Sequence, residues 1–218
     1  MKAEPFIRWN WIGAHLGDIG SRTLQHLELT GIAVGVGLVV SLGLSIVAIR
    51  LRRTYTPITW VAGVLYTIPS IALFALLVPV TGLTTTTAEI GLVSYTLLIL
   101  VRNIVAGIDG VPNSVREAAT AMGYTRGRMF VQIELPLALP VIIAGLRIAT
   151  VTTVGLVTLT ALIGQGGYGA FINDGLQRFF NTPLILGAVL SVLLAIALDT
   201  GLVVLQWALT PWTHRARG

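Results

Sequence analysis

Residues 29–49 read LTGIAVGVGLVVSLGLSIVAI, a stretch of 21 residues that contains no charged side chain. An α-helix needs about 20 apolar residues to cross the hydrocarbon core of a bilayer. The stretch is also longer than the apolar core of a cleavable signal peptide, which holds about 7–15 residues. We therefore interpret residues 29–49 as a retained transmembrane helix, which stops at Arg50, Arg52 and Arg53.

The composition of the whole chain agrees with a membrane protein. Of its 218 residues, 55% are hydrophobic and 11% are charged, whereas a soluble domain carries about 25% charged residues. Four further apolar runs predict spans near residues 58–80, 88–106, 140–163 and 183–207. We expect an all-α integral membrane protein with five transmembrane helices.

The basic residues between the spans predict the orientation of the chain, because positive charge collects in cytoplasmic loops. If the segments 50–57 and 107–139 and the C-terminal tail share one side, that side holds eight basic residues against four. The eight are Arg50, Arg52, Arg53, Arg116, Arg126, Arg128, Arg215 and Arg217, and the four are Lys2, Arg8, Arg22 and Arg178. The N-terminus is therefore expected outside and the C-terminus in the cytoplasm. These residues form no stripe, so the net charge of +5 does not indicate a nucleic-acid partner.

Three regions follow from this layout. Residues 1–26 mix charges with Trp, Phe and Ile, which predicts a short helix lying on the outer membrane surface. Residues 27–210 are expected to form the transmembrane domain, with a cytoplasmic loop at 107–139. Residues 211–218 are expected to form a basic cytoplasmic tail.

The loop between the third and fourth spans contains PNSVREAATAMGYTRGRMFVQIELPLALP at residues 112–140. Ser114 and Glu117 have the spacing of a capping box, in which each side chain binds the other residue's backbone N–H. Gly123 suits the left-handed end of a helix, and Thr125 can cap a second helix that ends before Pro136. We expect a helix, a sharp turn and a second helix. Small alanines let another protein approach the first helix closely, but a connector that merely joins two spans explains the same local features.

This loop resembles the cytoplasmic loop of the permease subunits of ATP-binding-cassette (ABC) importers. The pattern of that loop is E-A-A, three residues, G, nine residues, I-x-L-P. This chain matches it at Glu117, Ala118, Ala119, Gly123, Ile133, Leu135 and Pro136. The resemblance implies a coupling helix that docks into a groove of an ATPase subunit, with Glu117, Ala118, Ala119 and Gly123 as the coupling residues.

A wider resemblance, over about residues 30–205, is to type I importer permeases for glycine betaine, carnitine and choline. It is carried by TIPSIALFALLVPVTGL (67–83), LVRNIVAGIDGV (100–111), LPLALPVIIAGLRIAT (135–150) and ALIGQGGYGAFI (161–172). The resemblance implies an osmoprotectant permease in the bacterial plasma membrane. It also implies ABC ATPase subunits, a second permease chain (identical or a sister) and an extracytoplasmic substrate-binding protein as partners. An amino acid or other small metabolite as the solute, and a membrane scaffold without a solute, are the alternatives.

The chain lacks the residues that ATP hydrolysis requires. A P-loop needs a lysine after its glycines, and the single lysine of this chain is Lys2. Cysteine is absent, and the three histidines (His15, His26 and His214) have no metal-ligand spacing. We expect no catalytic, cofactor or metal site here, so that ATP and Mg²⁺ bind to the separate ATPase. The glycine-rich run at 164–167 is interpreted either as a flexible re-entrant or gate segment near the outer mouth or as an ordinary turn.

Two opposite charges, Arg147 and Asp199, fall inside predicted spans. Arg147 follows Pro140 by seven residues and Asp199 precedes Trp207 by eight, in spans that run in opposite directions, so their depths match. Charges inside a membrane usually face the bundle interior and pair with one another. We predict an ion pair that links the fourth and fifth spans, with contact to the solute as the alternative.

Tyr66, Ser70 and Tyr95 are candidate residues along a solute path. A trimethylammonium group favours aromatic faces, and these side chains lie within the second and third predicted spans. Such a path should bind its solute weakly, so that the solute can leave. A hydrogen-bonded tyrosine of the protein core is the alternative interpretation of both tyrosines.

Overall fold

The computed structural model describes residues 6–212, and this part of the chain contains helices and no strands. The predictions that concern Lys2, His214, Arg215, Arg217 and most of the tail fall outside it. The helices are α1 (Trp9–Ala14), α2 (Leu16–Arg50), α3 (Tyr55–Thr67), α4 (Ser70–Thr81), α5 (Thr85–Asp109), α6 (Asn113–Ala121), α7 (Arg126–Met129), α8 (Leu135–Leu159), α9 (Gly169–Arg178) and α10 (Asn181–Leu209). Short 3-10 segments occupy Arg52–Thr54 and Thr160–Ile163, and a π-helical segment occupies Phe130–Glu134.

Within the described residues, four helical stretches are long and apolar enough to cross a membrane. They are Leu16–Arg50, Thr85–Asp109, Arg126–Ile163 and Asn181–Leu209. A bent pair, Arg52–Thr67 and Ser70–Thr81, is a fifth candidate, and its two halves meet at 96°. The predicted all-α fold with helices long and apolar enough to span a membrane is confirmed. Four of the described helical stretches are candidate spans, and the bent pair would make a fifth.

The bend in the second predicted span lies at Ile68 and Pro69. Proline disfavours the helical conformation in the residue before it and cannot donate a backbone hydrogen bond. Ile68 is accordingly extended, with φ −63° and ψ 126°. The span predicted near residues 58–80 is therefore divided at Pro69 into two helices, α3 and α4, which together remain one candidate span.

One end of the bundle, which we name the arginine end, is held together by ion pairs. Arg52, just after α2, makes two hydrogen bonds to Asp109 at the end of α5. Arg116 of α6 donates to Glu134, just before α8, over 2.6 Å. The arginine end therefore joins the end of α2, the end of α5 and the start of α8.

The opposite end, which we name the glycine end, is centred on the turn at 164–167. The Gly167 N–H donates to the Gln25 side chain of α2 over 3.2 Å. The Thr85 hydroxyl at the start of α5 donates to Gln165 over 3.2 Å. α2 and α5 thus both start at the glycine end, and α8 runs back towards it.

The connections between helices follow from these two ends. The chain leaves α2 at the arginine end and enters α5 at the glycine end, so α3 and α4 together lead it back across the bundle. At the glycine end the Arg8 N–H donates to the Thr182 hydroxyl over 2.9 Å. α10 therefore starts beside the N-terminal segment and runs opposite to α8.

The apolar core follows α5. One cluster contains Leu29, Phe74, Leu92 and Val157, and a second contains Leu100, Ile104, Ile142 and Ala149. A Cβ added at Gly91 would clash with the edge of the Phe74 ring. Glycine at this position therefore lets the aromatic ring of α4 lie directly on α5.

Within residues 6–26, the segment predicted to hold a short surface helix contains one short helix and the first turns of a long one. α1 covers Trp9–Ala14, and α2 already begins at Leu16 rather than near Leu29. The first turns of α2 include His26, which is fully buried against the glycine-end turn. Contacts with that turn stabilise the N-terminal, polar part of α2 as a continuation of the long helix. The sequence alone did not indicate these contacts.

Candidate functional site

α6 contains the residues that match the importer loop, and Pro112 sets its start. Pro112 is extended (φ −58°, ψ 139°), and its carbonyl accepts the first N–H groups of the helix. The helix therefore begins one residue before Ser114, and no side chain caps it. The predicted capping box between Ser114 and Glu117 is wrong, because Pro112 already occupies the capping position.

The end of α6 has the geometry predicted for a glycine stop. Gly123 is left-handed, with φ +80°. The N–H of Tyr124 donates to the Ala119 carbonyl over 3.1 Å, and that of Gly123 to the Thr120 carbonyl over 3.0 Å. This is a Schellman motif, in which glycine adopts the left-handed conformation without steric cost. The predicted turn at Gly123 is confirmed.

The four residues that match the coupling positions do not share one environment. Glu117, Ala118 and Gly123 are exposed, whereas Ala119 is fully buried within the chain. Glu117 and Ala118 are therefore accessible from outside the chain. Ala119 instead faces the protein's own interior.

The second loop helix does not end before Pro136, so that prediction is wrong. Thr125 caps α7 by accepting from the Arg128 N–H over 3.4 Å, as predicted. α7 then passes through the π segment directly into α8. In that segment Leu135 N–H bonds to the Phe130 carbonyl, five residues back. The wider turn accommodates the proline ring, which would collide with a carbonyl in a regular α-helix.

Arg116 is the residue of this region that the sequence analysis missed. Its guanidinium donates to Glu134 Oε1 over 2.6 Å, to the Ile108 carbonyl over 2.6 Å and to Asn113 Oδ1 over 3.3 Å. Glu134 is buried, with 12% of its side chain exposed. An acid at the edge of an apolar run signals that a basic partner is needed, but only the folded loop identifies it as Arg116.

The structure brings Arg147 and Asp199 together. Arg147 Nε donates to Asp199 Oδ1 over 2.7 Å and Nη2 donates to Oδ2 over 2.8 Å. The side chains are 33% and 31% exposed on the single chain. This bidentate ion pair joins α8 to α10. Each charge is compensated by the other within helices that are candidate membrane spans, where water is scarce.

Tyr66, Ser70 and Tyr95 gather around the bend between α3 and α4. The rings of Tyr66 and Tyr95 lie edge to face with centroids 5.9 Å apart, and Ser70 is the first residue of α4. The Tyr95 hydroxyl donates to the carbonyl of Ile68, which the break in the helix leaves without a helical partner. This contact favours the interpretation of Tyr95 as a hydrogen-bonded core tyrosine.

Replacing Tyr95→Phe should weaken the fold by removing the donor to the Ile68 carbonyl. Leaving this half-buried acceptor unpaired should cost up to about 1–3 kcal/mol, the cost of an unpaired buried acceptor, so the midpoint of thermal unfolding in detergent should fall. Tyr66→Phe is the matched control, because Tyr66 is 38% exposed whereas Tyr95 is 5% exposed. Equal midpoints for both variants would contradict the role assigned to the Tyr95 hydroxyl.

The glycine-rich run at 164–167 forms a tight turn packed against α2. Gly164, Gly166 and Gly167 have φ values of +80°, +140° and +46°. A Cβ added at Gly167 would lie 2.6 Å from the His26 Cβ. The turn therefore requires glycine both for its backbone conformation and for its contact with α2.

His26 fixes the residue that follows this turn. Its Nδ1 accepts from the Tyr168 N–H over 3.3 Å, so Nε2 carries the proton and donates to the Val154 carbonyl over 3.0 Å. His26 thus binds α8 and the start of α9 at once. The role of His26 here is structural. Its contacts with Val154 and Tyr168 could not be predicted from the sequence, because these residues are far from His26 along the chain.

A polar cavity of about 670 Å³ opens at the glycine end between α2 and α9. Its walls include Asp18 and Arg22 of α2 and Asp174 and Arg178 of α9. Asp174 and Arg178 are paired over 2.7 Å. The cavity therefore presents both signs of charge at the end opposite to α6.

Comparison with known proteins identifies the family. The family described as "Binding-protein-dependent transport system inner membrane component" matches residues 29–210. The osmoprotectant import permease protein OsmW of Salmonella typhimurium is 38% identical over 200 residues, covering 89% of this chain and 93% of OsmW. The choline transport system permease protein OpuBB of Bacillus subtilis is 35% identical over 195 residues, covering 89% and 90%.

A solved structure shares the fold. A chain of the MetNI methionine ABC transporter, in an inward-facing conformation, superimposes with a TM-score of 0.77 at 21% identity, covering 90% of this chain and 98% of that one. The matched residues 29–210 extend from the first long helix to the end of the last. The chain therefore belongs to the family of inner membrane components of binding-protein-dependent transport systems.

Proposed function

We propose that this chain is the permease subunit of an ATP-driven ABC importer for osmoprotectants such as glycine betaine, carnitine or choline. The observation that carries the proposal is α6, an exposed helix at the arginine end that presents Glu117 and Ala118 and ends at a left-handed Gly123. Relatives named for osmoprotectant and choline transport support the solute class.

The proposed topology has five spans, with the N-terminus outside and the arginine end in the cytoplasm. The bent pair of α3 and α4, counted as one span, leads the chain from the arginine end to the glycine end. Arg8 beside Thr182 at the start of α10 supports termini at opposite ends. Arg50, Arg52, Arg53, Arg116, Arg126 and Arg128 support a cytoplasmic arginine end by the positive-inside rule.

In this arrangement, α6 docks onto an ABC ATPase subunit, which binds ATP and Mg²⁺. Closure of two ATPase subunits on ATP would move α6 and switch the spans between inward-open and outward-open states. One chain of five spans does not easily enclose a path, so a second permease, identical or a sister, completes it. An extracytoplasmic binding protein would deliver the solute at the glycine end, where the polar cavity opens.

The test is to purify the tagged chain in mild detergent, identify what co-purifies, and measure uptake after reconstitution into vesicles with ATP inside. We expect an ATPase with a P-loop to co-purify, and choline, carnitine or glycine betaine to be imported. Methionine serves as the control solute. Import of an amino acid alone would refute the solute class, whereas a folded chain without an ATPase would support the scaffold alternative.

A further inference from the structure

The attachment of α6 to the rest of the protein depends on very little apolar contact. All of α6 is described, and Ala119 is its only fully buried residue. A single buried methyl group contributes about 1 kcal/mol or less. Besides Ala119 and the half-buried Val115, polar contacts therefore orient α6 against the rest of the protein.

Arg116 provides this attachment through acceptors on two other elements. Its guanidinium donates over 2.6 Å to the Ile108 carbonyl at the end of α5, which also accepts the Val111 N–H over 3.2 Å. The C-terminal end of a helix also carries partial negative charge, which attracts a guanidinium. Arg116 thus connects α6 to α5 by both a hydrogen bond and an electrostatic attraction.

The second acceptor, Glu134, connects α6 to α8. Glu134 is the last residue of the π segment and is 9% exposed. Arg116 donates to this carboxylate over 2.6 Å, so loss of Arg116 would leave the largely buried Glu134 without its counter-charge. Arg147 lies 13 residues further along the same helical stretch, about 20 Å away at 1.5 Å per residue. A shift of Glu134 is therefore carried along α8 to the pair that joins α10.

We propose that Arg116 and Glu134 are positioning residues that transmit the movement of α6 to α8. This inference rests on the proposed function, in which the ATPase docks on α6. Glu117 and Ala118 face the partner, and Arg116 reaches from the same helix to α5 and α8. Breaking the link should leave docking intact and separate ATP hydrolysis from solute movement.

The test compares Arg116→Gln and Glu134→Gln in the complex of this chain with the ATPase and binding protein that co-purify with it, reconstituted in vesicles. Three quantities are measured: ATPase retained, ATP hydrolysed and choline imported. We expect both variants to retain the ATPase, and the choline imported per ATP to fall about tenfold, a typical size for coupling between sites. Arg116→Lys should restore part of the ratio, because one ammonium keeps the charge but cannot reproduce the guanidinium's three bonds.

Arg128→Gln is the matched control. Arg128 belongs to the same loop, but it bonds to Gln132 within its own helical stretch and lies over the Tyr124 ring. An unchanged ratio is expected for this variant.

Two results would overturn the inference. One is a wild-type ratio in Arg116→Gln, and the other is loss of the ATPase from it, which would make Arg116 part of the docking surface. If Arg116→Gln does not fold, Glu134→Gln decides by the same ratio, since it keeps the shape and one acceptor oxygen. Failure of the wild-type complex to import any quaternary ammonium solute would instead refute the proposed function.

Discussion

The variant Ala118→Trp is expected to fold normally and to lose its ATPase partner. Ala118 is exposed on α6, so an indole is accommodated in the isolated chain. In the docked complex the same ring would occupy the space that the partner needs. A disruption at the centre of an interface costs about 2–4 kcal/mol, or about 30- to 1000-fold in affinity. Co-purification of the ATPase and uptake of the solute should both fall to background.

Ala118→Ser is the control for this change, because it keeps the side chain small. It should retain both the ATPase and uptake. The thermal midpoint of Ala118→Trp should equal that of the wild type, which separates docking from folding. Ala119→Trp should behave differently and lower the midpoint, because Ala119 is fully buried in the chain itself. Normal uptake by Ala118→Trp would refute docking on this face of α6.

The second large effect is expected from breaking the ion pair between α8 and α10. Asp199→Asn leaves Arg147 charged within a span, and Arg147→Gln leaves Asp199 in the same position. Both single variants should give less folded protein and a lower thermal midpoint in detergent, since an unpaired charge in a membrane span is expensive.

The double variant Arg147→Met with Asp199→Leu distinguishes pairing from a role in solute contact. Replacing both members of a pair with apolar residues is often close to neutral. We therefore expect the double variant to recover most of the midpoint lost by either single variant, and to import solute. A fully stable Asp199→Asn beside an Arg147→Gln that does not assemble would contradict simple pairing.

The sequence revealed those features of the fold that depend on local chemistry. Long apolar runs predicted the spans. Gly123 predicted a helix end and Thr125 a helix cap, because both effects depend on residues only a few positions away. Arg147 and Asp199 were matched by depth alone, since a charge inside a membrane requires a partner and few are available.

Other features arise from competition that the sequence does not reveal. Pro69 divides into two helices an apolar run that predicts one span. Pro112 occupies the N-cap position of α6, so Ser114 lies inside the helix and does not cap it. Pro136 predicted a helix end, but the helix continues through it because the preceding π-helical turn accommodates the proline ring. The link between Arg116 and Glu134 joins residues 18 positions apart, so it exists only after the loop has folded.

The bend at Ile68 determines how deep in the membrane its neighbours lie. α3 has 13 residues and α4 has 12, so they are about 20 Å and 18 Å long, each shorter than a hydrocarbon core of about 30 Å. Joined at 96°, they approach that thickness when each is inclined by about 45°, which gives about 27 Å together. The bend then lies near the bilayer midplane, with Tyr66 in the helix before it and Ser70 in the helix after it. A solute held there would be about equally far from the water on either side.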